Sequence, residues 1–123
     1  MLEILPSPDN VAAYKLSGVV DGDDYDRLIA DLEARLKRRE KWGVLADLSE
    51  FRDITLQAAG KDFRYGLSKL LQLNRFPREA VITDKEWIRT LARVASPLIP
   101  FVEIRSFAPA EAAAAMDWVA GVP

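Results

Sequence analysis

The polar side chains of Asp47, Ser49, Asp53 and Thr55 cluster after the short apolar run 44–46. Strand ends of α/β proteins often carry function, and the free N–H groups of a helix N-terminus favour a phosphate. Thr55 is therefore a candidate phosphorylation switch. The same residue types are preferred at helix N-caps and in turns, because their oxygens accept hydrogen bonds from unpaired backbone N–H groups. Of these two interpretations, we favour the cap.

A second candidate contact surface lies on the next predicted helix, where Lys61 and Arg64 would extend this polar group. Gly60 and Gly66 lie in the same helix, and each should cost about 1 kcal/mol relative to alanine. The glycines indicate either close packing of the helix on the sheet or a ligand or partner lying across that face. We favour close packing.

Trp87 and the loop 96–101, with the sequence SPLIPF, form the most apolar part of the surface-prone sequence. Two prolines fix the loop, so Leu98, Ile99 and Phe101 must either pack inward or form an exposed patch. We favour core packing. An exposed patch would be a candidate dimer contact, membrane-surface contact or mouth of an apolar pocket, with Trp87 as a contact residue.

The composition excludes several kinds of active site. The chain has no histidine and no cysteine, so neither the usual catalytic triad, a thiolate metal site nor a cysteine nucleophile can be built. It also has no glycine-rich phosphate loop and no G-x-S-x-G or H-E-x-x-H motif. We therefore expect no enzyme activity, no metal and no cofactor.

The charge pattern gives no reason to expect a polyanionic partner. The net charge is -2, which argues against binding to nucleic acid or to an anionic membrane. The basic segment 35–41 could be a docking patch, but it follows an acidic helix start at Asp21. The helix dipole favours this arrangement, so a solvated helix end is the preferred interpretation. The sequence has no apolar run of the roughly 18 residues that a membrane span needs, and we expect a cytoplasmic protein without a transmembrane segment.

The hydrophobic pattern predicts the element order β-β-α-β-α-β-α-β-α in a single α/β domain, residues 1–123. Two strands around the turn PSPDN form an antiparallel hairpin. The apolar runs 44–46 and 80–83 predict central parallel strands, and FVEIRSF predicts a strand near a sheet edge. Thr83 opens a T-x-x-E sequence that predicts a capping box for the third helix. Crossovers repeated without reversal would wind the chain as a βα superhelix.

Several segments together resemble the SpoIIAA-like proteins, a bacterial group related to STAS domains and to SEC14, or CRAL-TRIO, lipid-binding domains. They are LEILPSPDNVAAYKLSG, VLADLSEF, FRYGL and, most specifically, TDKEWIRTLARVASPLIPFVEIRSF. The resemblance covers nearly the whole chain. It implies the STAS-type βα superhelix, with a five-stranded, mostly parallel sheet, an N-terminal antiparallel hairpin and four helices.

The resemblance also implies where a switch would lie. In anti-sigma factor antagonists with a STAS domain, a serine in a D-S-S-G-like turn opens the helix after the third strand. The matching positions here are Asp53, Ile54, Thr55 and Leu56, which lack the serine pair and the glycine. Thr55 retains a hydroxyl that could accept phosphate.

Two functions follow as hypotheses. The first is a non-catalytic regulatory module that contacts a protein partner through the surface around Asp53, Thr55, Lys61 and Arg64. The second is a carrier or sensor of an apolar ligand or lipid, held between the sheet and the helices that bear Phe63, Leu67, Trp87 and Leu91. The hairpin edge 1–5 and the proline loop are candidate contacts for a homodimer.

Overall fold

The fold of this chain is given by a computed structural model that describes residues 1–122, with the side chains of Leu70 and Leu71 left out. Pro123, the last residue of the predicted domain, lies outside the described residues. The described chain contains seven strands: β1 Leu2–Ile4, β2 Val11–Leu16, β3 Gly18–Val20, β4 Gly43–Asp47, β5 Phe51–Ile54, β6 Arg78–Ile82 and β7 Glu103–Phe107. Its four α-helices are α1 Gly22–Leu36, α2 Leu56–Ser68, α3 Glu86–Ala95 and α4 Ala112–Val119.

The main sheet has five strands in the order β1-β2-β4-β6-β7. β1 and β2 form the predicted antiparallel hairpin, and the remaining neighbours are parallel. Strand order follows chain order without reversal, which confirms the winding predicted from the element pattern. The predicted central positions of β4 and β6 and the edge position of β7 are also confirmed.

A second, two-stranded parallel sheet was not predicted. It pairs β3 with β5 and has an irregular register between Gly18 and Val19. The hydrophobic pattern predicts no strand in the segment that contains β5, because Arg52 and Asp53 lie between its apolar residues. The small sheet holds Phe51 and Val20 against the core, and it leads directly into the start of α2.

The helices are divided between the two faces of the main sheet. One face carries Ala13, Leu45 and Ala80, which pack with Ala115 and Val119 of α4. The opposite face carries the side chains that alternate with these along each strand, and it packs against α1, α2 and α3. Parallel strands covered on both faces are expected to be apolar throughout. A charged residue in the middle of one of them therefore requires an explanation.

The start of α1 is capped as its acidic sequence suggests. The Asp21 carboxylate accepts a hydrogen bond from the Asp24 N–H at 2.9 Å, and the Asp24 carboxylate accepts one from the Asp21 N–H at 3.1 Å. The capping box predicted for α3 is wrong. Lys85 is the N-cap there, and the Thr83 hydroxyl accepts from the Lys85 N–H instead. Thr83 is fully buried at the end of β6, so it cannot take the more exposed cap position.

The basic segment that follows α1 is partly structural. Trp42 is 1 % exposed, its indole N–H donates to the Arg39 carbonyl at 3.0 Å, and its ring lies under two guanidinium groups. Those groups belong to Arg35 and Arg38, at 5.6 and 5.8 Å from the ring centre. The Arg35 Nε also donates to Asp31 at 2.7 Å. The prediction of a solvated helix end is therefore only partly right, because two of the guanidinium groups in this segment cover a buried tryptophan.

Candidate functional site

Asp47 and Ser49 form a closed turn at the end of β4. One Asp47 carboxylate oxygen accepts from the Ser49 N–H at 2.9 Å and from the Ser49 hydroxyl at 2.6 Å. Both side chains are partly buried. Their hydrogen-bonding groups are engaged with each other, which is the turn-forming role that these residue types have in most proteins.

Asp53 and Thr55 lie at the junction of β5 and α2. Thr55 is the N-cap of α2, and its hydroxyl oxygen accepts a hydrogen bond from the Ala58 N–H at 3.1 Å. The Asp53 carboxylate accepts from the Ile54 N–H at 2.8 Å. This geometry confirms that Thr55 caps α2, the interpretation favoured from the sequence. A phosphorylated Thr55 stays a prediction.

We expect Thr55→Ala to lower the free energy of unfolding by about 1 kcal/mol, because the Ala58 N–H loses its acceptor. Thr55→Ser retains an oxygen at the same place and should change stability by much less. Urea unfolding followed by circular dichroism measures both variants. Equal losses for alanine and serine would show that the methyl group, and not the cap, accounts for the effect.

The remaining predicted site residues lie on two different helices. Lys61 of α2 pairs with Asp26 of α1, with Nζ 2.7 Å from each carboxylate oxygen. Arg64 is exposed on α2, and Trp87 is 56 % exposed on α3. Lys61 therefore has a structural partner between helices. Whether Arg64 and Trp87 contact a partner protein stays a prediction.

The two glycines of α2 do not pack closely. A Cβ atom added at Gly60 or Gly66 would meet nothing within 4 Å, and both residues are exposed. The favoured interpretation, close packing on the sheet, is therefore wrong. Gly66 instead borders an apolar cleft, described below.

The proline loop is also more exposed than expected. Leu98 and Phe101 are each 75 % exposed, so core packing is wrong for these two side chains. Phe101 has φ 70°, in the left-handed region that costs a non-glycine residue about 1 kcal/mol or more. Ile99, between them, is partly buried and lines the cleft. The loop thus forms part of the mouth of an apolar pocket, one of the alternatives that its sequence left open.

A mainly apolar cleft of about 260 Å³ lies between the main sheet and the helical layer, and we call it the sheet–helix cleft. Its apolar lining comes from β2, β4 and α1, from the 3-10 helix Leu70–Arg75 with the residue that follows it, and from the proline loop with the residue that follows it. These residues are Leu16, Leu28, Leu32, Val44, Ala46, Leu73, Phe76, Ile99 and Val102. The surface of the cleft is mainly apolar, as in sites that hold small molecules.

Two of the tyrosines that line the cleft are held by carboxylates. The Tyr14 hydroxyl donates to Asp31 at 2.6 Å, and burial together with this bond raises the pKa of Tyr14. The Tyr25 hydroxyl donates to Asp62, and burial together with the Asp62 charge raises the pKa of Tyr25. Both hydroxyls therefore stay protonated and remain donors at any ordinary pH.

Two polar groups of the cleft have no such partner. The Tyr65 hydroxyl is buried and forms no hydrogen bond of regular geometry with a described side chain, although burial and the nearby Glu33 carboxylate raise the pKa of Tyr65. Glu79 of β6 lines the cleft as well. Burial raises the pKa of Glu79 to about 7, and the negative charge of Asp62 contributes. Ionisable groups with a shifted pKa are concentrated in functional pockets.

Apart from Gly66 and Ile99, the candidate residues predicted from the sequence do not line this cleft, and Phe63, Leu67, Trp87 and Leu91 lie at the surface. The cleft residues were missed because they come from strands and helices far apart in the chain. One signal was present: Glu79 lies within a covered parallel strand, where apolar residues are expected. The strand predicted from the sequence begins one residue later, at Ala80, and therefore leaves Glu79 out.

No group of three or more potential metal ligands occurs in the described part of the chain. Within the same residues, no helix is long and apolar enough to cross a membrane.

Comparison with known proteins gives a consistent result. A family model described as SpoIIAA-like matches residues 11–120. A crystal structure of an uncharacterised protein with a SpoIIAA-like fold, from Shewanella loihica, is similar with a TM-score of 0.75 and 28% identity. That match covers 97% of this chain and 92% of the other. No match to a curated protein was found. The extent of the family match shows that this chain belongs to the SpoIIAA-like family.

Proposed function

We propose that this protein is a non-catalytic binding module that holds a small apolar molecule in the sheet–helix cleft. The observation that carries the proposal is the cleft itself, with its mainly apolar surface and a few polar groups. Ligand sites have this character, with volumes of roughly 300–1,000 Å³. At about 260 Å³ the cleft lies just below that range and suits a small ligand.

The mouth of the cleft supports the same proposal. Ile99 of the proline loop and Gly66 of α2 both border it, and the Gly66 backbone has open space around it. Because Gly66 has no side chain, α2 leaves room at this point for a ligand to enter. Extraction of purified protein with organic solvent, followed by mass spectrometry, would identify a molecule that co-purifies.

We expect Ala46→Phe to block binding. Ala46 lies on β4 and lines the cleft, so a phenyl ring there would occupy the space of the ligand. The affinity for the neutral fluorescent probe N-phenyl-1-naphthylamine should fall about tenfold or more, which corresponds to roughly 1.4 kcal/mol of lost contact. A fluorescence titration measures this.

The matched control is Ala113→Phe, an exposed position on α4 at the opposite face of the sheet. It adds the same ring without reaching the cleft and should leave the affinity for the probe unchanged. Equal probe affinity in the Ala46→Phe protein and the original one would contradict the proposal.

Contact with a protein partner is a second candidate role, and an exposed apolar surface favours it. Several large apolar side chains of α2, α3 and the proline loop are more than half exposed. They are Leu56, Phe63, Leu67, Trp87, Leu91, Val94, Leu98 and Phe101. Apolar surfaces of this kind often mark interaction sites. Self-association into a homodimer and a cytoplasmic location stay predictions, and light scattering over a range of concentrations tests the first.

A further inference from the structure

Glu79 occupies an exceptional position in the main sheet. It lies on β6, which is paired on both sides, opposite Val44 of β4 and Ile104 of β7. The same row continues to Ala12 of β2. The three other residues of the row are apolar, so the carboxylate faces the cleft from an apolar surface.

The Glu79 carboxylate is not neutralised within the protein. Among the side chains that the structure describes, none forms an ion pair with it. Lys69 also lines the cleft, but its ammonium group pairs with Glu33 at 2.9 Å. Glu79 is partly buried, and a partly buried carboxylate without a counter-charge has a desolvation cost that a bound cation would offset.

The other groups around the carboxylate make the cleft favourable to a cation. Asp62 of α2 adds a second negative charge, although it also accepts the hydrogen bond of Tyr25 from α1. Tyr65 of α2 contributes an aromatic ring and a hydroxyl without a described partner. Aromatic rings attract cations, and a carboxylate binds an ammonium group by charge-assisted hydrogen bonds.

We propose that the ligand of the sheet–helix cleft has an aliphatic body and one protonated amine, and that this amine binds the Glu79 carboxylate. The inference rests on the proposed function, because it assigns the chemical class of the molecule that occupies the same cleft. The aliphatic part contacts Leu28, Leu32 and Val44. The ammonium group provides a positive counter-charge for the Glu79 carboxylate. A carboxylate ligand, such as a fatty acid, is repelled by the same group.

The acid–base behaviour of Glu79 agrees with this assignment. Burial, with the Asp62 charge, raises the pKa of Glu79 to about 7. The side chain is therefore ionised at pH 8 and ready for a cation, and it is protonated at pH 5.5. An alkyl amine stays protonated at both values, so a change in its affinity between them reports on the charge of Glu79.

The test is competition against N-phenyl-1-naphthylamine by octylamine, octanol and octanoate at pH 8. These competitors share an aliphatic chain and differ in head-group charge. We expect octylamine to bind roughly 10- to 100-fold more tightly than octanol, the range expected of a hydrogen bond to a charged group. Octanoate should bind most weakly. The preference for the amine over the alcohol should decrease at pH 5.5.

Glu79→Gln, which keeps the shape of the side chain and removes its charge, should abolish the preference for octylamine while octanol still binds. Glu103→Gln is the matched control, because Glu103 is exposed on the neighbouring strand β7, and it should retain the preference. Octanol binding with no preference for octylamine, or a preference that survives Glu79→Gln, would overturn this inference alone. Failure of the probe and of every competitor to bind would overturn the proposed function and the inference with it.

Discussion

Replacing Trp42 by alanine should lower the free energy of unfolding by about 3–5 kcal/mol, the usual cost of removing a large aromatic side chain from a core. Trp42 is 1 % exposed and packs with Tyr14, Leu32 and Leu36. The change also removes the hydrogen bond to the Arg39 carbonyl and the ring beneath Arg35. Because domains of this size are stable by roughly 5–15 kcal/mol, such a loss is a large part of the total.

Urea unfolding followed by circular dichroism measures the loss. Trp42→Phe keeps most of the buried ring and should lose less, which makes the measurement feasible if the alanine variant does not fold. The matched control is Trp87→Ala on α3, where the side chain is 56 % exposed and the change should be within about 1 kcal/mol. Similar losses at the two tryptophans would contradict the packing described for Trp42.

Replacing Glu79 by glutamine should stabilise the protein, and the gain should depend on pH. The pKa of this carboxyl is about 7 in the folded protein and 4.5 at its ordinary value. A group whose pKa is raised by folding contributes its full stability below the ordinary value, and that contribution is lost as pH rises through the folded value. The original protein should therefore lose stability between pH 4.5 and 7 in a way that the glutamine variant does not.

The expected difference above pH 7 is at most about 3–4 kcal/mol, from about 1.4 kcal/mol for each pH unit between the two values. Unfolding of the original and Glu79→Gln proteins at pH 4.5, 6 and 8 measures it. Glu103→Gln, at an exposed position, should follow the original protein at each pH. A constant difference between the original protein and Glu79→Gln across this range would contradict the raised pKa of Glu79.

The main sheet could be predicted from the sequence because its strands have strong, simple patterns. The runs 44–46 and 80–83 are apolar, as covered parallel strands must be, and the segments between them have helical spacing. β3 and β5 were missed because they are three and four residues long and combine apolar residues with Arg52, Asp53 and Gly18. Such short strands depend on pairing with each other, which local pattern does not show.

The cleft could not be predicted because it is a property of packing. Tyr14, Tyr25 and Tyr65 come from three elements that only the folded chain brings together. Trp42 was missed because it precedes a predicted strand, where no helical or strand period places it inside. Thr55, by contrast, was interpreted correctly as a cap, since a cap is a local feature set by residues a few positions apart.

The pairing of β6 on both sides has a further consequence for how the cleft would select a ligand. The backbone that carries Glu79 is fixed between β4 and β7, so the carboxylate can change its place by side-chain rotation alone. Part of its removal from bulk water takes place when the chain folds, before any ligand arrives. An incoming ammonium group thus meets a preorganised partner, and the free energy of their attraction is not reduced by reorientation of the protein.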